Sequence, residues 1–362
     1  MNIKSLLIGS AAAMVAVSGA RAADAVMAPE PEPVEYVRVC DAYGAGFFYI
    51  PGTETCLQIS GYVWYQIGAN GFRDVGLDTA GYQGQGHSSG EGWFKNVRAR
   101  VNFDARSETE WGTLRSYIRL QASWNGVGDG PVAADQAWIT LGGLMMGYSE
   151  SFWVDSKNGG PSNYGSHSWS GMSYGYQQRA LIGYRFDSNG FFGAISLEDD
   201  ALAGEGYMPD VVAKLGYGAG WGAVWVKAAY DESLDSIAAN AGVQVNVPNM
   251  PGSSFRLQGW WAEDAGNAYG ILYDTDGNPL TSETAEWSVQ ASYNHQFSAT
   301  LGASLGFQYF DGFGAAPDGW LGELSVVWFP VSQFEVRTEV GYAKTENLDG
   351  SLSGFLRFTR YF

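Results

Sequence analysis

The sequence predicts an all-β fold: a transmembrane antiparallel β-barrel of about sixteen strands, with short periplasmic turns and long extracellular loops. Three observations predict it. Long segments alternate apolar and polar residues with period two. Short and long connections take turns along most of the chain. The composition is aromatic and glycine-rich yet poor in charge, with 14 Trp, 21 Tyr, 19 Phe, 50 Gly and 16% charged residues. Ordinary soluble domains carry about 25% charged residues; an outer surface that meets lipid carries fewer.

The N-terminus reads as a cleaved secretory signal over 1–22. Lys4 supplies the positive start, Leu6 to Val17 the apolar run, and Ala20-Arg21-Ala22 a small-x-small cleavage site. About a dozen apolar residues interrupted by Gly9 and Ser10 are too few to span a bilayer. Residues 23–56 read as a periplasmic lead-in, Pro- and Glu-rich over 23–35. The formal net charge is −18, and cleavage would remove Lys4 and Arg21 but no acid. That balance excludes nucleic acid as a partner. Export favours a disulfide between Cys40 and Cys56, with two free thiols or a metal pair as the alternatives. Two Cys and the scattered His87, His167 and His295 have no zinc spacing, so no metal or cofactor is expected.

From 57 to 362 the texture is constant, with no linker, and reads as one barrel domain. Leu57, Ile59, Gly61, Val63, Tyr65 and Ile67 share one face; Gln58, Ser60, Tyr62, Trp64 and Gln66 share the other. Val97 to Phe103 alternate with Arg98, Arg100, Asn102 and Asp104. Leu114 to Trp124 alternate with Arg115, Tyr117, Arg119, Gln121 and Ser123. Ala285, Trp287, Val289, Ala291 and Tyr293 alternate with Glu286, Ser288, Gln290, Ser292 and Asn294. Period two over such lengths is strand rather than helix. These strands run about ten to thirteen residues, whereas soluble strands run about five or six and a tilted membrane strand needs about nine to eleven.

Short connections fall at Gly142-Gly143, Ser188-Asn189, Gly218-Ala219-Gly220, Gln296-Phe297 and Pro330-Val331-Ser332. Long ones fall at about 69–92, 125–133, 150–175, 200–209, 264–283, 310–318 and 345–350. An even strand number places both ends of the barrel domain on the periplasmic side.

A barrel of about sixteen strands leaves an aqueous channel, which side chains fill only in narrower barrels. A packed core would not tolerate so many Arg, Glu and Gln on its buried face. Arg98, Arg100, Arg115, Arg119 and Arg357 fall on neighbouring strands once the last strand closes on the first, and form a candidate basic wall. The inward acids Glu286, Glu323, Glu335 and Glu339 fall nearer the other end of the sheet, so the two signs are expected to oppose each other across the pore. The loop at 150–175 carries Glu150 and Asp155 and is the candidate to fold inward. The run Leu352 to Phe362 reads as a strand to its last residue. Phe358 and Phe362 face lipid with Leu356, Arg357 and Thr359 face the lumen, and Arg360 reaches the periplasmic interface.

The chain resembles the alphaproteobacterial outer-membrane porins. The resemblance is carried by Cys40 to Leu57 (CDAYGAGFFYIPGTETCL), by Ser107 to Leu114, by Leu141 to Leu144, by Gly206 to Val212 and by the Phe358–Phe362 end. It implies a sixteen-stranded barrel in the outer membrane, a homotrimer among lipid and lipopolysaccharide, and passive diffusion of small hydrophilic solutes and ions. It also implies a third loop folded into the lumen, which maps to 150–175 here.

Other chemistry finds little footing. Asp274-Thr-Asp276-Gly277-Asn278 begins like a calcium loop, but Pro279 stands where the turn needs Gly and Ala285 replaces the bidentate Glu. No zinc-protease, serine-hydrolase, phosphate-loop or dinucleotide fingerprint occurs, and no catalytic residue is assigned. A solute-selective channel with Tyr62, Trp64 and Trp260 as stacking surfaces is the alternative within the class. A barrel enzyme or adhesin and a secreted β-sandwich lectin are the alternatives outside it.

Overall fold

The structure is a computed structural model that describes residues 38–72, 93–124, 130–154, 172, 174–199, 208–273 and 283–362. The expected signal peptide, the first 15 residues of the lead-in (23–37), the loop at 73–92 and Asp155 lie outside these residues.

In chain order the strands are β1 (Phe47–Tyr49), β2 (Cys56–Phe72), β3 (Trp93–Thr109), β4 (Gly112–Trp124), β5 (Ala133–Leu141), β6 (Leu144–Glu150), β7 (Gln178–Ser188), β8 (Phe191–Asp199) and β9 (Asp210–Ala219). They continue with β10 (Gly222–Asp231), β11 (Ser236–Asn246), β12 (Ser254–Ala262), β13 (Ile271–Tyr273), β14 (Glu283–Gln296), β15 (Leu301–Gly312), β16 (Gly319–Val331), β17 (Phe334–Thr345) and β18 (Ser351–Tyr361). The three-residue strands β1 and β13 pair with the ends of β2 and β14. The other sixteen form the wall, each antiparallel to its neighbour, and β18 pairs with β2 to close the ring. Closure leaves no open sheet edge, which lets a sheet cross a bilayer.

Alternation decides what each strand presents. In β10, Ala223, Trp225, Lys227, Ala229 and Asp231 are buried inside, while Val224, Val226 and Tyr230 are exposed outside. In β2, Trp64 and Gln66 point in, and Ile59, Val63 and Tyr65 point out. Ring pairs mark both rims of the outer surface. Phe191–Tyr217 (4.8 Å) and Phe255–Tyr293 (4.4 Å) lie at the short-turn end. Trp287–Tyr309 (5.2 Å) and Trp320–Tyr342 (5.4 Å) lie at the long-loop end. These are the two aromatic girdles of a membrane barrel.

The turns follow from sequence. Asn189 (φ 51°) and Gly190 (φ 86°) make a two-residue hairpin between β7 and β8. Both need positive φ, which Asn and Gly adopt at least cost. Three connections escape the sequence reading: 110–111, 232–235 and 247–253. The middle one is only four residues long although it lies at the long-loop end.

Residues 39–55 fold against the short-turn end of the barrel. A disulfide joins Cys40 to Cys56, with Cα atoms 6.0 Å apart. Phe47 is buried between the bridge and the lumen wall, with Arg106 stacked 4.9 Å over its ring. β1 pairs with Cys56–Gln58, the stretch of β2 beyond the register of β18.

Candidate functional site in the barrel lumen

The lumen has two unlike halves. Arginines line the inward faces of β3, β4, β17 and β18. The inward faces of β8 to β12 are partly small and apolar, and receive a loop.

On β3 and β4 the guanidiniums are held by carboxylates and by rings. Asp104 accepts paired hydrogen bonds from Arg106 (2.9 and 2.7 Å) and from Arg115 (2.8 and 2.7 Å). Arg115 also lies 4.7 Å over Trp138, whose ring stacks on Tyr117 at 4.8 Å. Asp135 contacts both Arg119 and Arg100, the latter at 3.5 Å. Glu150, at the end of β6, lies 3.8 Å from Arg119. Arg98 donates to Ser123 Oγ (3.1 Å) and sits 5.3 Å from the Trp64 ring. From β18, Arg357 donates to Gln66 Oε1 (2.7 Å) and sits 4.8 Å from the same ring.

Asp135 has no place on the basic wall by strict alternation, which groups it with Ala137 and Ile139 on the outer face. A register shift between β4 and β5 opposes Arg119 to Gln136 and the next residue, Leu120, to Ala134. The bulged residue is Asp135, and a bulge re-aims a side chain. Period two alone carries no signal for it.

The expected opposition of acids and arginines across the pore is corrected in two places. Glu335 and Glu339 lie on β17, beside β18, and so share the side of the pore that holds Arg357. Arg337, between them in sequence, lies 3.0 Å from Glu335 and 3.9 Å from Glu339. Tyr361 also donates to Glu335, at 3.0 Å. Ring closure is the reason: strands late in the chain neighbour the first ones. Glu286 departs from the alternation because β14 bulges between Ala285 and Trp287. Ala285 is buried in the interior cluster and Glu286 is half-buried, outside the run of inward residues Ser288 and Gln290.

The connection between β6 and β7 enters the lumen at both of its described ends. Phe152, Trp153 and Val154 are buried, packed in one cluster with Val212, Ala229, Ala238 and Ala262 of the inner wall. Charged wall residues grip the loop backbone. Lys227 Nζ donates to the Trp153 carbonyl (2.6 Å), Glu198 accepts from Phe152 N–H (2.9 Å), and Glu323 accepts from Met172 N–H (3.3 Å). Met172 packs over Gly306, where a Cβ would come within 2.4 Å of its sulfur. The loop thus touches the wall from β8 round to β16. A second connection, after β12, also folds inward. Tyr269 is fully buried, meets Trp153 edge-on at 5.9 Å, and donates to Asp210 at 2.8 Å. Length marked 264–283 as a long loop but not its direction.

Phe355, Arg357 and Thr359 are buried inside, whereas Leu356, Arg360 and Phe362 are exposed outside and Phe358 stacks on Phe334. No group of His, Cys, Asp and Glu among the described residues could hold a metal ion.

A closed sixteen-stranded barrel, apolar outside and charged within, with a loop folded into its bore, defines a pore-forming protein of the outer membrane. A family model described as a porin subfamily matches residues 24–353. The chain is 37% identical to Porin Omp2b of Brucella abortus (strain 2308) over the whole of both chains. It is also 37% identical to Porin Omp2a of Brucella ovis, covering 88% of this chain and 97% of that one. Among solved structures it is similar to the outer membrane channel DcaP of Acinetobacter baumannii (TM-score 0.63, 15% identity, 87% and 99% of the two chains). It is likewise similar to an anion-selective porin from Comamonas acidovorans (TM-score 0.59, 12% identity, 85% and 100%). The chain belongs to the porin subfamily and is an outer-membrane porin channel.

Proposed function

We propose that this porin lets small hydrophilic solutes and ions diffuse passively through a constriction between the arginine-bearing wall and the inward loop. The observation that carries the reading is the division of the bore. Phe152–Val154 occupy the half lined by β8 to β12, which leaves the passage to the half lined by Arg98, Arg100, Arg119 and Arg357. Glu150 and Asp135 bring acids to the same passage. Fixed charges of both signs at a narrow point orient and sort solutes by their dipoles.

A homotrimer embedded among lipid and lipopolysaccharide completes the proposal. Among the described residues, the outward ring pairs lie on β8 to β18, whereas β3 to β6 carry outward Leu114, Ile118 and Ile139. Outward Leu114, Ile118 and Ile139 form an aliphatic patch between the exposed Trp111 and Trp124, which suits contact with a second copy of the chain.

Purified protein in a planar lipid bilayer tests the pore. Stepwise ion current, and liposome swelling in small sugars that stops above a size limit, are the expected results. A barrel that carries no current would overturn the reading. Native mass spectrometry of the detergent-extracted protein tests the trimer, and a monomer mass alone would refute it.

A further inference from the structure

The geometry points to an anion-binding subsite on the lumen wall, made by Arg98 and Arg357 flanking Trp64, for a small solute bearing a carboxylate or phosphate oxyanion. The assignment rests on the diffusion reading above and names where that passage would hold an anion.

Most of the wall's positive charge is answered locally. Arg106 and Arg115 share Asp104, Arg100 and Arg119 share Asp135, and Arg337 lies between Glu335 and Glu339. Among the described residues, Arg98 and Arg357 take part in none of these ion pairs. Their hydrogen-bond partners are neutral, and Glu339, the acid on the strand beside Arg357, is ion-paired to Arg337 instead. Arg98 uses Nε on Ser123 (3.1 Å), and Arg357 uses Nε on Gln66 (2.7 Å). Their remaining polar edges are the terminal guanidinium nitrogens.

β2 lies between β3 and β18. Trp64 stands opposite Arg98 in the first pairing, and opposite Thr359, two residues from Arg357, in the second. The indole therefore receives one guanidinium from each side, at 5.3 and 4.8 Å, and Phe355 backs Arg357 at 4.6 Å. Contact with a ring face steadies a guanidinium and leaves its N–H edge free for an oxyanion. Planar N–H forks match carboxylate and phosphate oxygens in pairs. Arg357 is only 9% exposed. A cation that buried, hydrogen-bonded to a neutral amide and outside the ion pairs named above, carries a desolvation cost that an arriving anion offsets. An anion gains less at Arg100 or Arg106, where a carboxylate is already in place.

The test uses the full-length protein in planar bilayers, with inorganic phosphate added to potassium chloride. Phosphate is expected to reduce the chloride current of the parent channel in a saturable way. Arg98→Gln and Arg357→Gln should each raise the half-blocking concentration by roughly fivefold, the scale of one unit charge at contact in a wet site. Arg106→Gln removes the same formal charge from an ion-paired position and should raise it less than about twofold. Trp64→Leu keeps both charges but frees them, and should weaken block while moving the potassium–chloride reversal potential less than either Gln variant does. Equal shifts for Arg98, Arg357 and Arg106 would overturn the subsite, because the charge would then act as a spread field. So would an unblocked parent channel with normal current. Loss of all ion current in the parent would instead overturn the diffusion reading. Heat-modifiable migration on gels confirms that each variant has assembled, and the two Gln variants check each other should one fail to fold.

Discussion

Gly61 and Phe362 exchange both of their backbone hydrogen bonds, Gly61 N–H to the Phe362 carbonyl at 3.0 Å and Phe362 N–H to the Gly61 carbonyl at 3.1 Å. The exchange carries the seam between β2 and β18 one residue past the end of β18. The Phe362 ring lies over the space that a side chain at position 61 would fill. A Cβ there would come within 3.0 Å of the ring and 2.1 Å of the Arg100 carbonyl oxygen.

Gly61→Ala should therefore open the seam from its short-turn end. Overpacking of this kind costs about 1–3 kcal/mol. The folded fraction in a urea titration, read by heat-modifiable mobility, should fall at a lower urea concentration than for the parent. An unchanged midpoint would mean that the seam relaxes around the methyl group.

Trp153→Ala should widen the pore. The ring is fully buried between the inner wall and Tyr269, and losing a buried Trp costs about 3–5 kcal/mol of local packing. The barrel's own hydrogen bonds do not depend on it, so assembly should persist while single-channel conductance rises. A parental conductance would show that the backbone grips at Lys227, Glu198 and Glu323 hold the loop alone.

Glu335→Gln should destabilise the barrel near β17 and β18. It leaves Arg337 beside one acid, 3.9 Å away, and weakens the bond from Tyr361. Breaking a buried pair by removing one partner costs about 3–5 kcal/mol. Combining Glu335→Gln with Arg337→Met should recover part of that loss. Additive losses in a double-mutant cycle would show that the two side chains do not couple.

Replacing Cys40 and Cys56 together by Ser should loosen residues 39–55 and spare the barrel. The bridge spans 16 residues, a loop for which closure is worth about 3 kcal/mol on the chain-entropy model. Hydrogen exchange should speed up at Cys40, whose N–H bonds to Phe47, and remain slow through β14 and β15. Faster exchange throughout the wall would make the bridge a determinant of the whole fold.

Alternation explains why so much of the wall was legible. In β2 and β4 the aliphatic residues mark the outside, because lipid accepts no charge there and each strand residue flips its side. The same rule misleads wherever a strand bulges. Asp135 reads as an outward residue and lies among the arginines, whereas Glu286 reads as inward and drops out of the alternation. A bulge inserts one residue and leaves no mark in a period-two pattern.

Sequence by itself determined the fold class, the choice of inside and outside along unbulged strands, and the presence of arginines on β3, β4 and β18. These follow from local rules, since each residue's neighbours in the chain decide which medium its side chain meets. Only the tertiary structure decided which charges meet. Closure of the ring brought Glu335, Arg337 and Glu339 to the arginine side, and the side-chain packing put Trp64 against both Arg98 and Arg357, which the sequence had already set on neighbouring strands. It also brought Phe152 and Trp153 against a wall nearly 60 to 110 residues further along the chain, at Val212, Ala229, Ala238 and Ala262. Coulomb energies depend on distance through space, and chain order stops reporting that distance once a sheet closes on itself.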